Sequence, residues 1–461
     1  MKRSTIGWSV ALGVVVTALV VLVVYAASVT IDSFDEGLQE LKVTPGPTPP
    51  VPEYNYVDTS AALGGQRDIV LYSLGGGQVN AQVDAQNNNR FDFASFPGAT
   101  GAVSVTWDGV DNNAVNIATS GLGGVDLTGG GTQDGFRFRI VNADKSSGLL
   151  MAVYSSTNRY THVISLPGGI ESGHTVDVFF PFASFGLAGG TADTNWRKHA
   201  GAIVMVITGT ADADVAIDLL NTFSGREYGD LPTSAQGCTN PGNACYSTAV
   251  LEAYHVPQGM RLGYSVDVES NYQATYAATG DDAVSGLDVD DEDGVVVRIK
   301  QSLPECKWQS GFHGCVQVTM RGCSSSNPCL VVGWIDFNRD GDFADPGEDV
   351  VADVQVGDVT LLNQQFSLPT SYVENRNYYA RFRVCPCLGT DCATSECLNP
   401  TGNATNGEVE DYWWPLGPTA IELRSLTARA LPRWTAAAGA GALALAALGG
   451  LAVARRRRAA R

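Results

Sequence analysis

Apolar residues in this chain of 461 arrive in short alternating runs, and that spacing constrains the fold more than any other feature. Between residues 29 and 225 the runs RDIVLYSL, GAVSVTWDG, DGFRFRIVNA, GLLMAVYSS, HTVDVFFPF and GAIVMVITG are separated by turns rich in Gly, Asn and Asp. Alternation of this length is what a strand needs to bury one face and wet the other. No helical period of any length interrupts it. The 52 Gly, 20 Pro and 17% charged residues point the same way. The chain is too long for one ordinary core. We therefore expect an all-β protein: an N-terminal jelly-roll-like β-sandwich over 29–225, then a second, disulfide-rich β-sandwich domain over 226–417, with apolar helices at both termini. VTPGPTPPVPEY, Val43 to Tyr54, reads as an extended loop or insertion near the start of the first domain.

The ends differ from the middle. Lys2 and Arg3 precede an apolar run from Ile6 to Val24, and Val24 and Ala26 suit the small-residue rule of export cleavage. Residues 1–28 are thus expected to be a signal peptide or a membrane anchor. Ala436 to Ala454 is apolar and runs into Arg455–Arg458. A transmembrane helix with an Arg-rich cytoplasmic tail is expected over 435–461, after a spacer at 418–434. On this reading the body is exported to the cell surface, or membrane-tethered through its terminal helices. LPRWT, helix and Arg cluster together resemble bacterial C-terminal sorting signals. The motif departs from the Gram-positive LPXTG signal at its fourth and fifth places and is closer to the Trp-containing tails of Gram-negative type.

A formal charge of -19 excludes the basic footprint that nucleic acid or anionic lipid requires. Divalent cations are the natural counterions. All ten cysteines lie between Cys238 and Cys397, an even number that suits five disulfides in an exported chain. Zinc is disfavoured, because no His lies within the cysteine clusters. The pairing stays open.

Several motifs bear on function. Asp336, Asn338 and Asp340 stand at positions one, three and five of a loop, with Gly341 at six and Asp342 at seven. Alternating hard oxygens around a tight Gly turn can wrap calcium. Glu348 falls thirteenth, not twelfth, and the flanks LVVGWI and DVVADVQV read as strands, so this is a β-hosted calcium-like loop rather than an EF-hand. An ordinary solvated turn is the competing reading. GDDAVSGLDVDDEDGV packs seven carboxylates into sixteen positions. If Asp290, Asp291, Glu292 and Asp293 fold onto a sheet, a cation or several backbone donors must offset their repulsion; otherwise the run stays solvated. In GEVEDY, alternation puts Glu408 and Glu410 on one face and Asp411 with Val409 on the other. These carboxylates are the remaining candidate metal ligands, while Tyr412, Trp413 and Trp414 anchor the strand end.

In their order, EYGDLPTS, LGYSVDVES, the acidic run, VVGWIDFNRDGDFADPGEDV and NGEVEDYWW resemble the GEVED domain of bacterial surface and adhesin-like proteins. The domain is named for the residues found here at Gly407 to Asp411. Departures are the Cys-rich decoration and DLPTS, where the family has a DAPDS-like sequence, so no ligand is placed at Thr233. The first region resembles jelly-roll modules of bacterial surface proteins through IDSFDEG, LGGQRDI, VTWDGVDN and FFPFASF. Such modules are often akin to carbohydrate-binding sandwiches. Trp107, Trp196, Tyr154 and Tyr160 would then either stack on sugar rings or fill the core.

No G-x-S-x-G, H-E-x-x-H or P-loop is present, and the five His are scattered. His255 is expected to be structural. The sequence thus predicts an exported surface binding or structural protein, adhesin-like and not an enzyme, with a calcium-stabilised β domain and a surface protein or glycan as partner. Its alternative is a carbohydrate-binding surface protein, with a secreted glycoside hydrolase behind it.

Overall fold

A computed structural model describes residues 28–44, 51–84, 88–166, 168–234, 245–280, 291–298, 306–388 and 392–417. Fourteen strands build the first sandwich: β1 (Thr30–Asp32), β2 (Gln39–Val43), β3 (Glu53–Asp58), β4 (Gln66–Gly75), β5 (Val79–Val83), β6 (Phe91–Ser95), β7 (Thr100–Trp107), β8 (Gly135–Ala143), β9 (Ser147–Ser155), β10 (Asn158–Leu166), β11 (Val176–Pro181), β12 (Gly186–Gly189), β13 (Ala202–Gly209) and β14 (Asp214–Phe223). One sheet runs β11-β8-β14-β6-β5-β2 with β1 on β14, and the other runs β12-β10-β9-β13-β7-β4-β3. Alternation sets the faces. In β6, Phe91, Phe93 and Ser95 are buried while Asp92 and Ala94 are half-exposed. The phenylalanines meet Phe136, Phe138, Val103, Val105, Met151 and Met205 in one core.

Three motifs distant in sequence close this core with one polar knot. Arg67 of LGGQRDI sends two donors to Asp32 of IDSFDEG, both at 2.6 Å. Trp107 of VTWDGVDN donates to the same carboxylate at 2.8 Å. All three side chains are fully buried.

The second sandwich contains β15 (Glu227–Tyr228), β16 (Tyr254–His255), β17 (Arg261–Leu262), β18 (Val295–Val297), β19 (His313–Arg321), β20 (Cys329–Ile335), β21 (Asp349–Gln355), β22 (Val359–Ser367), β23 (Arg376–Pro386) and β24 (Glu408–Leu416). One four-stranded sheet orders β17-β19-β18 with β22 on β19; the other is β21-β20-β23-β24. Trp308, Val316, Val318, Met320, Ile335 and Phe382 lie between them. Strand β20 is buried on both faces. Leu330, Val332 and Trp334 turn outward into a second cluster with Tyr246, Leu251, Tyr379 and Cys385. Disulfides join Cys306–Cys315, Cys323–Cys329, Cys385–Cys397 and Cys387–Cys392, and no cysteine is free among the described residues.

The two sandwiches share an edge. Outer strand β11 would leave unpaired backbone groups. Instead Phe179 N–H donates to Pro257 and Asp177 N–H to Val266, each at 2.8 Å.

One part of the expected fold class is corrected. The architecture is all-β, but the apolar helices expected at both termini are not part of it: among the described residues no helix is long and apolar enough to cross a membrane. The one α-helix described is Thr248–Leu251, four residues where a bilayer span needs about twenty. The segments assigned as signal peptide or anchor, spacer, transmembrane helix and Arg-rich tail lie outside the described residues, apart from Ser28. The membrane contact expected through those helices therefore has no support.

Candidate functional site

The loop between β20 and β21 divides its acids into two sets. Asp336 is 1% exposed and fills both carboxylate oxygens. Its Oδ1 accepts from Arg339 N–H at 2.6 Å, and its Oδ2 from Gly341 N–H at 3.1 Å and the Tyr246 hydroxyl at 2.8 Å. Glu348 is likewise buried and accepts from Phe337 N–H at 3.0 Å and Asp345 N–H at 3.3 Å. These two carboxylates hold the loop closed as backbone clamps. Burial pushes Asp336 up to about 6; burial and then the nearby Asp336 charge push Glu348 up to about 7. Gly341 sits at φ +95°, and a Cβ there would meet the Cys245 carbonyl oxygen at 2.3 Å.

The outer set can receive an ion. Asp340, Asp342 and Asp345 each offer an oxygen within 4.8 Å of the others, on the exposed rim of the loop. Asn338 donates to Asp340 at 2.9 Å and also to Asp345. The structure therefore brings Asn338, Asp340 and Asp342 together as the spacing predicts, and spends the Asp336 and Glu348 carboxylates on backbone N–H groups, those of Asp340 and Asn338 among them. Asp345 was missed by the sequence reading. Its signal was the DFADPGED run, in which a third carboxyl of the rim stands just before a Pro-Gly turn.

The GEVED strand carries a different chemistry. Glu408 and Glu410 share one face of β24, Asp411 the other, and all three are buried. Asp411 takes two donors from Arg381, at 2.8 and 2.7 Å, and one from Leu231 N–H at 3.2 Å. Glu410 accepts from Gly294 N–H at 2.8 Å and the Tyr412 hydroxyl at 2.9 Å. Glu408 accepts from Leu262 N–H, and burial together with Glu410 raises its carboxyl well above the ordinary range. Val409 N–H in turn donates to Glu227 at 2.7 Å. The signature acids thus bind backbone from three separate segments. They latch the sandwich shut.

Of the acidic run, Asp290 lies outside the described residues. Asp293 accepts from Tyr264 N–H at 2.7 Å, and Asp291 from Asp267 N–H at 3.3 Å. Asp291 also converges with Asp267 and Glu269, oxygens within 4.8 Å. Glu292 is half-buried and acts on the Tyr412 hydroxyl by its charge. His255 is fully buried and neutral: Arg383 Nε–H donates to its Nε2 at 2.9 Å, which leaves Nδ1–H to donate to the Asn406 carbonyl at 3.2 Å. Burial and then the Arg383 charge hold its pKa well below the usual value.

The aromatics nominated for sugar stacking are mostly core. Trp107, Trp196 and Tyr160 are buried, Tyr160 stacking on Trp196 at 4.8 Å, while Tyr154 is half-buried. Other tyrosines face solvent instead. Tyr54 is 59% exposed, Tyr56 and Tyr72 41%. Register places Tyr54 opposite Val70 and Tyr56 opposite Asp68 on β4, two and four residues before Tyr72. All three rings therefore lie on the outer face of the β3–β4 edge. Tyr54 was missed because it closes the Pro-rich stretch read as loop, and Tyr56 follows it. Their Tyr-x-Tyr alternation was the available signal.

Residues 330–415, from β20 to β24, match the GEVED domain. This is an all-β, disulfide-bonded chain of two sandwiches, the second carrying that domain. Among solved structures it is similar to the family 11 carbohydrate-binding module of the cellulosomal cellulase Lic26A-Cel5E of Clostridium thermocellum: 10% identity, 43% of this chain and 94% of that one, TM-score 0.21. The same kind of module in complex with a beta-1,3-1,4-mixed-linked tetrasaccharide aligns at 9% identity over 41% of this chain and 95% of its own, TM-score 0.20. TmCBM61 in complex with beta-1,4-galactotriose aligns at 9% identity, covering 40% and 87%, TM-score 0.18. No relative is found among curated proteins.

Proposed function

We propose that this chain is an extracytoplasmic, non-catalytic binding protein whose first sandwich takes a glycan on the outer face of the β3–β4 edge. The observation that carries the reading is the row of Tyr54, Tyr56 and Tyr72, exposed rings on one face of the sheet edge. A tyrosine offers an apolar ring to the C–H face of a sugar and a hydroxyl to its rim. Export is supported by the disulfides, which persist in oxidising compartments. Calcium at Asp340, Asp342 and Asp345 would rigidify the β20–β21 loop.

The test is affinity electrophoresis of the full-length chain in gels containing soluble polysaccharides, a mixed-linked β-glucan and a β-1,4-galactan among them. The wild type is expected to be retarded by at least one, and Tyr54→Ala/Tyr56→Ala to run freely. Wild-type migration unchanged by every polysaccharide would overturn the glycan reading and leave adhesin-like display toward a surface protein. Release of reducing sugar from a retarding polysaccharide would overturn the non-catalytic part.

A further inference from the structure

A second group of acids lies in the first sandwich, away from the GEVED domain. Asp68 is on β4 and faces away from the core, opposite Tyr56 of β3 and Thr106 of β7. Asp108 follows the last residue of β7, and Asp111 stands three residues further along the loop. Each offers a carboxylate oxygen within 4.8 Å of the others. Asp68 is 1% exposed and Asp108 0%, yet both oxygens of Asp68 and Oδ1 of Asp108 meet no hydrogen-bond donor. Asp108 Oδ2 alone is served, by Ala118 N–H at 2.6 Å, while Asp111 accepts from Asn113 N–H at 2.8 Å. Among the described residues no Lys or Arg forms an ion pair with any of the three. Neighbouring Arg67 points to the opposite face and spends its charge on Asp32.

Buried carboxylates without donors or a counterion are strongly disfavoured in their charged form. Burial and then the Asp108 charge accordingly push Asp68 up to about 8. The surroundings are already built to hold the three acids in place. Gln66 accepts from Asp111 N–H at 3.2 Å and Asn112 N–H at 2.9 Å, and donates to Asp58 at 2.6 Å. The loop returns tightly on itself, since a Cβ on Gly121 would meet the Asp108 carbonyl oxygen at 1.7 Å. The donor set is oxygen only, with no imidazole or thiolate, which suits a hard cation.

We propose that Asp68, Asp108 and Asp111 bind a calcium-class divalent cation, which ties the loop after β7 to strand β4. The ion replaces the missing donors and cancels the repulsion of the buried pair. The two motifs that supply it, LGGQRDI and VTWDGVDN, contribute Arg67 and Trp107 to the core on one face and these acids on the other.

Calcium titration calorimetry on the full-length chain tests this, with Asp340→Asn/Asp342→Asn/Asp345→Asn as background so that the β20–β21 loop does not contribute. Asp68→Asn in that background is expected to remove a calcium site. Asp111→Asn, at the half-exposed rim, is expected to weaken it by about tenfold through loss of one charged ligand while melting like its parent in chelator. Calcium stoichiometry and affinity unchanged by both substitutions would overturn the assignment. So would a chelated background chain whose melting temperature, taken relative to its Asp68→Asn variant, falls as pH rises toward 8 and is not recovered by added calcium, since that identifies a proton shared by Asp68 and Asp108 in place of the ion.

Discussion

Asp32, Arg67 and Trp107 show how a charge is kept in a dry sandwich. The carboxylate satisfies the guanidinium and the indole N–H together, so neither cation nor donor is left bare. Asp32→Ala should cost about 3–5 kcal/mol, because it strands a buried guanidinium; a urea midpoint within error of wild type would contradict this. Asp336 and Glu348 make the opposite case. Their folded-state carboxyls stand above their ordinary values, so the folded chain keeps protons that the unfolded chain releases. The stability these groups contribute is complete below about pH 4 and is lost as pH climbs to about 7. In chelator, the melting temperature of wild type relative to Glu348→Gln should therefore fall between pH 4.5 and 7.5. A relative rise across that window would refute the sign.

At the level of the element, β20 and β24 contrast. Strand β24 keeps the alternation that GEVEDY predicts, Glu408 and Glu410 on the face of Tyr412, Asp411 on the other. Strand β20 has no alternation, since loops and the Thr248–Leu251 helix cover its second face. Gly333 in its middle is there for contact: a Cβ would meet the Phe382 ring at 2.3 Å. Gly333→Ala should destabilise by about 1–3 kcal/mol through overpacking, read as a lower denaturation midpoint with the m-value unchanged. An unaltered midpoint would mean that Phe382 has room to move.

Across the whole molecule the two halves hold themselves together by different means. The first 237 residues contain no cysteine and rely on a large aromatic core. The second sandwich adds four described disulfides to smaller clusters. Replacing Cys385 and Cys397 by Ser should cost about 2–4 kcal/mol and shift one calorimetric transition, leaving the first-sandwich transition nearly in place. A common shift of both would show that the shared β11 edge couples them into one cooperative unit.

Strand content and turn punctuation were legible from residue order because a period of two is a local property. The same locality made the parity of Glu408, Glu410 and Asp411 readable, and grouped Asn338, Asp340 and Asp342. Only the tertiary structure decided what those carboxylates face. Asp336 and Glu348 turned inward to backbone amides, and Asp411 to Arg381 thirty residues earlier in the chain. The convergence of Asp68 with Asp108 depends on β4 lying beside β7. Charge and alternation are written residue by residue, whereas the partner of a buried charge is set by which strands become neighbours.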